Sequence, residues 1–245
     1  MRRSAVALAL LFLFGASPGI ANDMPPLVRV IGQYSKVFMF VDDRILQVRG
    51  LTEHCEQETR DWANTVETEA MARASVPPGE LADFGRRYDI GSIAGRRYYS
   101  IIRMSGTDID GKYKAFDIDT LLWDAKTDSR VSPAVFLTEA ADRGPTMHAL
   151  FELVKAGLAE KLAHSAGAVV VREPEPSLSG IGPISLAGST IPGKSAGLNF
   201  HYALFVPGRF APKQVVVFVP WRKFSRYLSA QGRAIFAGEW KEREI

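Results

Sequence analysis

The chain has 245 residues, of which 47% are hydrophobic and 23% are charged, and this composition excludes an intrinsically disordered protein. Lys and Arg number 30 against 27 Asp and Glu, and a net charge of +3 is too small and scattered to indicate a nucleic-acid-binding groove. The chain has 1 cysteine, Cys55, which excludes an intrachain disulfide, so stability has to come from core packing.

The N-terminal segment, residues 1–21, has the features of a secretory signal peptide. Arg2 and Arg3 form a basic start, Ala5–Phe14 is an apolar run, and Ala21 ends a small-residue cleavage sequence. The apolar run is about half the length of a membrane-spanning helix, so we expect cleavage and not a retained membrane anchor. Cleavage removes both arginines and lowers the net charge to +1. We therefore expect a periplasmic or secreted protein.

The first predicted elements are a hairpin and a helix. Two β-rich runs, Val37–Val41 and Ile45–Val48, flank Asp42-Asp43 and predict a hairpin. Glu53–Ala74 carries apolar residues at three- and four-residue spacing, which predicts an amphipathic helix. Pro77–Gly79 ends that helix.

The middle of the chain predicts strands joined by short turns. Tyr98–Met104 and Tyr113–Trp123 are strand-like and are separated by Asp110-Gly111, a dipeptide suited to hairpin turns. Trp123–Val131 repeats the pattern around a polar turn. Three successive strands with short links predict an antiparallel meander.

The C-terminal half alternates between helical and strand patterns. Met147–Leu162 has helical spacing, and Arg172–Gly197 is a long loop rich in Pro, Gly and Ser. Leu198–Tyr202 alternates like a strand, Val215–Val219 is apolar on both faces like a central strand, and a last helix opens at Pro220.

These elements together predict an α+β fold in which an antiparallel sheet packs against two or three helices. No internal repeat or linker divides the chain, so residues 22–245 are expected to form a single domain.

Two regions of the chain resemble a known family. The first consists of Gly197–Tyr202, Phe205, Gly208, Phe210-Ala211 and Val217–Trp221. The second consists of Trp123–Asp128 with Val131 and Phe136. Together they resemble the signature of an exported bacterial envelope domain of unknown function, over a core of about residues 86–228.

The resemblance implies architecture more than chemistry. Related regions are the lysozyme-binding sensor regions of anti-sigma factors and the accessory regions of peptidoglycan deacetylases, so lysozyme or a cell-wall component is the partner that the resemblance implies. Phe205, Phe210 and Trp221 stand where the family usually has Tyr, so ligand contacts through those hydroxyls would be lost.

The sequence shows no metal or cofactor signature. His54, His148, His164 and His201 are scattered, and none of them pairs at the spacing that places two ligands on one helix face. The aspartates between 108 and 128 lack the Gly and Glu positions of an EF-hand loop. Cys55 is expected to be a small buried residue.

The loop from Phe205 to Lys213 is the candidate binding surface. Phe205, Arg209 and Phe210 are residue types enriched at binding hot spots, and Trp221 joins them as a fourth candidate contact. The competing interpretation is that the two Phe side chains fill the core beneath the loop.

Two functions from different classes follow. The favoured hypothesis is an exported, soluble, non-enzymatic envelope protein that binds a protein or cell-wall ligand. The alternative is a peptidoglycan-modifying hydrolase that assembles its site from distant residues such as Asp124, His148 and His201.

Overall fold

The computed structural model describes residues 26–72, 81–109, 112–165, 167–206 and 213–241. The predicted signal peptide, the Pro77–Gly79 helix stop and the Asp110-Gly111 turn lie outside the described residues. Within these ranges the chain has a mixed α+β fold built on two sheets, which confirms the predicted fold class. No helix of the described residues is long and apolar enough to cross a membrane.

The first sheet has six strands in the described part of the chain, in the spatial order β1 to β6. They are β1 (Val28–Ile31), β2 (Ser35–Val41), β3 (Ala82–Ala94), β4 (Tyr98–Ile109), β5 (Lys112–Asp124) and β6 (Ser129–Arg130). Neighbours are antiparallel except for β2 and β3, which run parallel. The run of neighbours from β3 to β6 confirms the predicted meander.

The predicted hairpin around Asp42 is wrong. The chain leaves β2 and enters a short helix, α1 (Asp43–Leu46), because the Asp42 carboxylate caps it by accepting a hydrogen bond from the Arg44 N–H at 3.0 Å. Ile45, predicted in a strand, is fully buried on this helix. The neighbours of β2 are instead β1 and β3.

The predicted amphipathic helix is present as α2 (Arg49–Ala72) and connects β2 to β3. Its buried side chains recur every three or four residues and include Leu51, Cys55 and Val66, which pack against the first sheet. Cys55 is fully buried, and this burial raises the pKa of its thiol to about 12. The cysteine is therefore a small core residue, as expected.

The second sheet is formed by the C-terminal half of the chain. Its strands are β7 (Val169–Val170), β8 (Ile184–Leu186), β9 (Gly197–Phe205) and β10 (Lys213–Pro220). The described strands follow the order β10, β9, β7, and β8 also pairs with β9. All of these pairs are antiparallel.

One expectation about this sheet is wrong and another is incomplete. Val215–Val219 belongs to β10, the last strand on its side of the described sheet, and its side chains alternate between buried and more exposed positions. The loop predicted over Arg172–Gly197 contains β8, whose three residues are all buried. Leu186 of β8 ties the two sheets together, since its N–H donates to Ser100 Oγ at 2.8 Å and its carbonyl accepts from Ser92 Oγ at 2.9 Å.

Helix α3 (Pro145–Ala163) confirms the prediction from Met147–Leu162 and covers the inner face of the second sheet. Leu150 and Val154 are buried in the same cluster as Val217 of β10. Gly157 allows a close approach there, because a Cβ at this position would lie 2.5 Å from Val217 Cγ1.

The helix predicted from Pro220 is shorter than expected. It is α4 (Trp221–Phe224), which passes into a 3-10 turn and is followed by α5 (Ala230–Ile235). Phe136, Phe224 and Phe236 meet edge to face near this end of the core, with ring centroids 5.4 and 5.8 Å apart in the two pairs that Phe236 makes.

Candidate functional site

The structure describes two of the four predicted partner-binding residues. Phe205 is the last residue of β9 and Trp221 is the first residue after β10, whereas Arg209 and Phe210 lie outside the described residues. The eight residues of β10 separate Phe205 from Trp221, a span of about 25 Å. The structure therefore places these two side chains at opposite ends of the β9–β10 hairpin.

The second sheet has an inner face and an outer face that the alternation of its strands defines. In β9, Leu198, Phe200, Tyr202 and Leu204 are buried in the main core cluster, so the intervening residues point to the outer face. In β10 the buried residues are Val215, Val217 and Val219, and the same rule applies.

Phe205 lies on the outer face within a group of apolar side chains. We call this group the outer-face patch, and it consists of Val169, Val171, Ala203, Phe205 and Val216. The exposed fractions are 56% for Val169, 60% for Val171, 51% for Phe205 and 38% for Val216. Val169 is the direct cross-strand partner of Phe205, and the Val171 N–H donates to the Ala203 carbonyl at 2.9 Å. The interpretation that Phe205 fills the core is therefore wrong.

Trp221 has a different environment. It packs against the main core cluster, and its indole N–H donates to the carbonyl of Gly238 at 3.0 Å. The neighbouring Arg222 guanidinium lies over the ring at 5.6 Å and forms an ion pair with Glu239. These contacts hold the C-terminal segment against α4.

The three residues of the hydrolase alternative are not assembled into one site. The Asp124 carboxylate forms a two-point ion pair with Arg97 at 2.6 and 2.5 Å, and this hydrogen-bonded cation lowers the carboxyl pKa. His148 is exposed on α3, which covers the inner face of the second sheet. His201 points to the outer face of that sheet, so the sheet lies between the two histidines. This arrangement contradicts the predicted catalytic set.

His201 has a partner that its sequence position did not reveal. Its Nε2 lies 2.7 Å from the hydroxyl of Ser185 on β8, and both residues are buried. Burial lowers the pKa of the imidazole to about 4, so the ring is neutral at pH 7 and is a weak base. The hydrogen bond between Ser185 and His201 connects β8 to β9. Ser185 is only 1% exposed, so its hydroxyl is not accessible to solvent as a nucleophile.

A groove lies beside β5, between the first sheet and the chain that leads from β7 to β8. It contains a cavity of about 620 Å³, within the usual size range of ligand pockets. Asp119, Thr120 and Leu122 line one side, and Leu178, Ser179 and residues 182–184 line the other. A smaller cavity of about 160 Å³ continues past Ile118 toward the outer face.

Two arginines line this groove. Arg130 and Arg172 both line the larger cavity and are exposed. Among the described residues neither has a carboxylate within ion-pair distance, and the contact of Arg172 is a long one of 3.5 Å to the Ser179 carbonyl. Asp142 also lines the cavity, while the Asp119 carboxylate is already paired with Arg103 at 2.7 Å.

No group of three or more His, Cys, Asp and Glu side chains able to hold a metal ion occurs in the described ranges of the chain. The outer-face patch and the groove are surfaces of the described structure whose shape and chemistry suit a ligand.

Comparison with known proteins gives only distant similarities. No family model matches the chain, and no curated protein matches it. A DUF3298 family protein from Pseudomonas aeruginosa PAO1 is similar in structure, with 12% identity and a TM-score of 0.49, over 89% of this chain and 99% of that chain. A DUF3298 family member from Bacteroides fragilis NCTC 9343 has 11% identity and a TM-score of 0.44, over 83% and 92% of the two chains.

The structural neighbours are thus DUF3298 proteins, members of a family without an assigned function. Similarity at this level assigns neither a family nor an activity to the chain. The resemblance to lysozyme-binding sensor regions and deacetylase accessory regions stays a prediction.

Proposed function

We propose that this chain is an exported, non-enzymatic protein of the bacterial cell envelope that binds a protein partner through the outer-face patch. The observation that carries the proposal is the exposure of Phe205 and three valines on one sheet face. Contiguous exposed apolar side chains on a folded protein mark interaction sites. The predicted signal peptide supports an exported location.

The composition of the patch favours a protein partner over a small molecule. Side chains on a strand surface form a broad, shallow face, whereas small ligands favour concave pockets. An aromatic residue among aliphatic neighbours is typical of the central contacts of protein interfaces. Phe205 occupies that position beside Val169 and Val171.

Lysozyme is the first partner to test, because the family resemblance implies it. The mature chain is expected to carry a net charge near +1, which supplies little long-range attraction for a strongly basic lysozyme. Binding would therefore rest on apolar contacts and would change little with salt. A component of the cell wall is the second occupant that the resemblance implies.

The test is a titration of the mature protein with lysozyme, together with a pull-down from exported fractions. Wild type, Phe205→Asp and a control, Met71→Asp, are compared. Met71 is also 60% exposed but lies on α2, away from the second sheet. We expect a complex with wild type and the control that Phe205→Asp weakens at least tenfold. No complex, or equal binding by all three proteins, would contradict the proposal.

A further inference from the structure

Strand β5 has one edge that the described strands leave largely unpaired. On one side it pairs with β4 along its whole length. On the other side it pairs with β6 at Trp123 and Asp124, and the Leu122 carbonyl accepts from the Val131 N–H at 2.9 Å. Within the described residues, pairing on this side stops there.

The direction of the peptide groups follows from these contacts. Successive residues of a strand direct their N–H and C=O groups to opposite neighbours. Ala125 bonds toward β4 through the Arg97 carbonyl, whereas Leu122 bonds away from β4. The peptide groups of Ile118 and Thr120, which lie two and four residues before Leu122, therefore point to the same side as those of Leu122, where no described strand pairs with them.

The open edge forms one wall of the groove. Thr120 lines the larger cavity and Ile118 lines the smaller one. The Thr120 N–H is satisfied by the Asp119 carboxylate at 2.7 Å. The carbonyl of Thr120 and both backbone groups of Ile118 are left to bond with whatever enters the groove, which is the arrangement that accepts an added strand.

The opposite wall is held in place before any ligand arrives. The Tyr202 hydroxyl donates to the carbonyl of Ile181. Gly182 has a φ of +105°, and a Cβ there would lie 3.1 Å from the Tyr202 ring, so this wall requires glycine. A preformed wall reduces the ordering that binding would otherwise require.

The charges around the groove select among extended peptides. Arg130 and Arg172 lack carboxylate partners among the described residues. Carboxylates on a ligand would form ion pairs with these two guanidinium groups. Asp142 at the same cavity suits an ammonium group at one end of the ligand.

We infer that the groove binds an extended peptide bearing carboxylates, which pairs with Ile118 and Thr120 as an added strand and places its acidic groups at Arg130 and Arg172. The smaller cavity borders the outer-face patch at Val171 and Ala203, but the peptide site does not depend on the partner proposed for that patch.

The probe is a dye-labelled hexapeptide of alternating Glu and Val, measured by fluorescence anisotropy with the mature protein. Two comparison peptides replace Glu by Lys or carry a methyl group on every peptide nitrogen. Arg130→Ser and Arg172→Ser test the charges, and Arg60→Ser on α2 is the matched control. Hydrogen exchange at the Ile118 amide reports strand pairing directly.

We expect the acidic peptide to bind, each groove arginine variant to weaken its binding about tenfold, and Arg60→Ser to leave its binding unchanged. The N-methylated and Lys peptides should bind at least tenfold more weakly, and the acidic peptide should slow exchange at Ile118. The inference is overturned if the acidic peptide does not bind, if either comparison peptide binds equally well, or if exchange at Ile118 is unchanged.

Discussion

Val169 lies directly opposite Phe205 in the second sheet, and more than half of each side chain is exposed to solvent. Cross-strand apolar pairs stabilise a sheet through contacts between their side chains, and such pairs are normally buried by another layer of the protein. Here the pair is part of an apolar surface that the described chain does not cover. This relationship is the physical basis of the proposed partner-binding role.

Phe205→Asp should separate binding from folding. A charged residue in the patch should weaken partner binding by about thirtyfold, the size of an interface hot spot. Stability should change by less than about 1 kcal/mol, because the side chain is half exposed. Urea unfolding and binding titrations check the two parts, and a large loss of stability would contradict this placement of Phe205.

Trp221 should behave in the opposite way. Trp221→Ala removes core contacts and leaves the Gly238 carbonyl without its donor, so we expect a loss of about 2–3 kcal/mol in the free energy of unfolding. Trp221→Phe keeps an aromatic ring in the core but also removes the indole N–H, and it should cost about 1 kcal/mol. The affinity for the partner should change by less than about twofold in Trp221→Phe. A larger change would indicate that Trp221 contacts the partner and would contradict this assignment.

Arg103 holds together the charged groups under α2. It pairs with Glu58 at 2.5 Å and with Asp119 at 2.7 Å, and its side chain is largely buried. Arg103→Leu leaves the Glu58 carboxylate without its cation and should destabilise the fold by about 3–5 kcal/mol. The double variant Arg103→Leu with Glu58→Leu should recover part of that loss in urea unfolding, and no recovery would contradict the pairing.

The pH dependence of Arg103→Leu gives a second check. Burial alone would raise the pKa of Glu58, but the charge and hydrogen bond of Arg103 hold it below its ordinary 4.5. In wild type this pair therefore stabilises the fold above about pH 4.5 and stops doing so as the pH falls further. Without Arg103 the pKa of Glu58 should rise, so the unpaired carboxylate takes up a proton as the pH falls from 7 to 5. The difference in the free energy of unfolding between Arg103→Leu and wild type should therefore shrink over this range.

His201 should make the fold sensitive to mild acid. Its pKa is lowered by burial from 6.5 to about 4, so the unfolded chain binds a proton between these values and the folded chain does not. The free energy of unfolding should not be reduced by this group above pH 6.5, and it should fall by about 3 kcal/mol as the pH is lowered to 4. His201→Gln, which can still bond to Ser185, should lack this decline in urea unfolding, and an equal slope would contradict the neutral buried imidazole.

The elements that sequence predicted well are those with local periodicity. The stripes of α2 and α3 and the polar turn between β5 and β6 depend on neighbours within a few residues. The hairpin at Asp42 failed because the two flanking runs resemble strands, while the Asp42 side chain caps a helix instead. The strand inside 172–197 was missed because its three residues are defined by burial between two sheets.

The sequence predicted part of the outer-face patch and none of the groove. Phe205 was named from its residue type, but its neighbours Val169 and Val171 come from a different segment and become adjacent only in the folded sheet. The groove depends on which edge of β5 is left open, and pairing between strands distant in sequence decides that. The Ser185–His201 contact is likewise made by two strands, β8 and β9.

Site-specific photocrosslinking in intact cells tests the proposed partner-binding surface most directly. Benzoylphenylalanine is placed at position 205 in one variant and at Met71, equally exposed but on α2, in the other. We expect a discrete protein adduct from position 205 that the Val171→Asp substitution abolishes, and none from position 71. The absence of an adduct at position 205, or the same adduct from both positions, would contradict a partner-binding role for the outer-face patch.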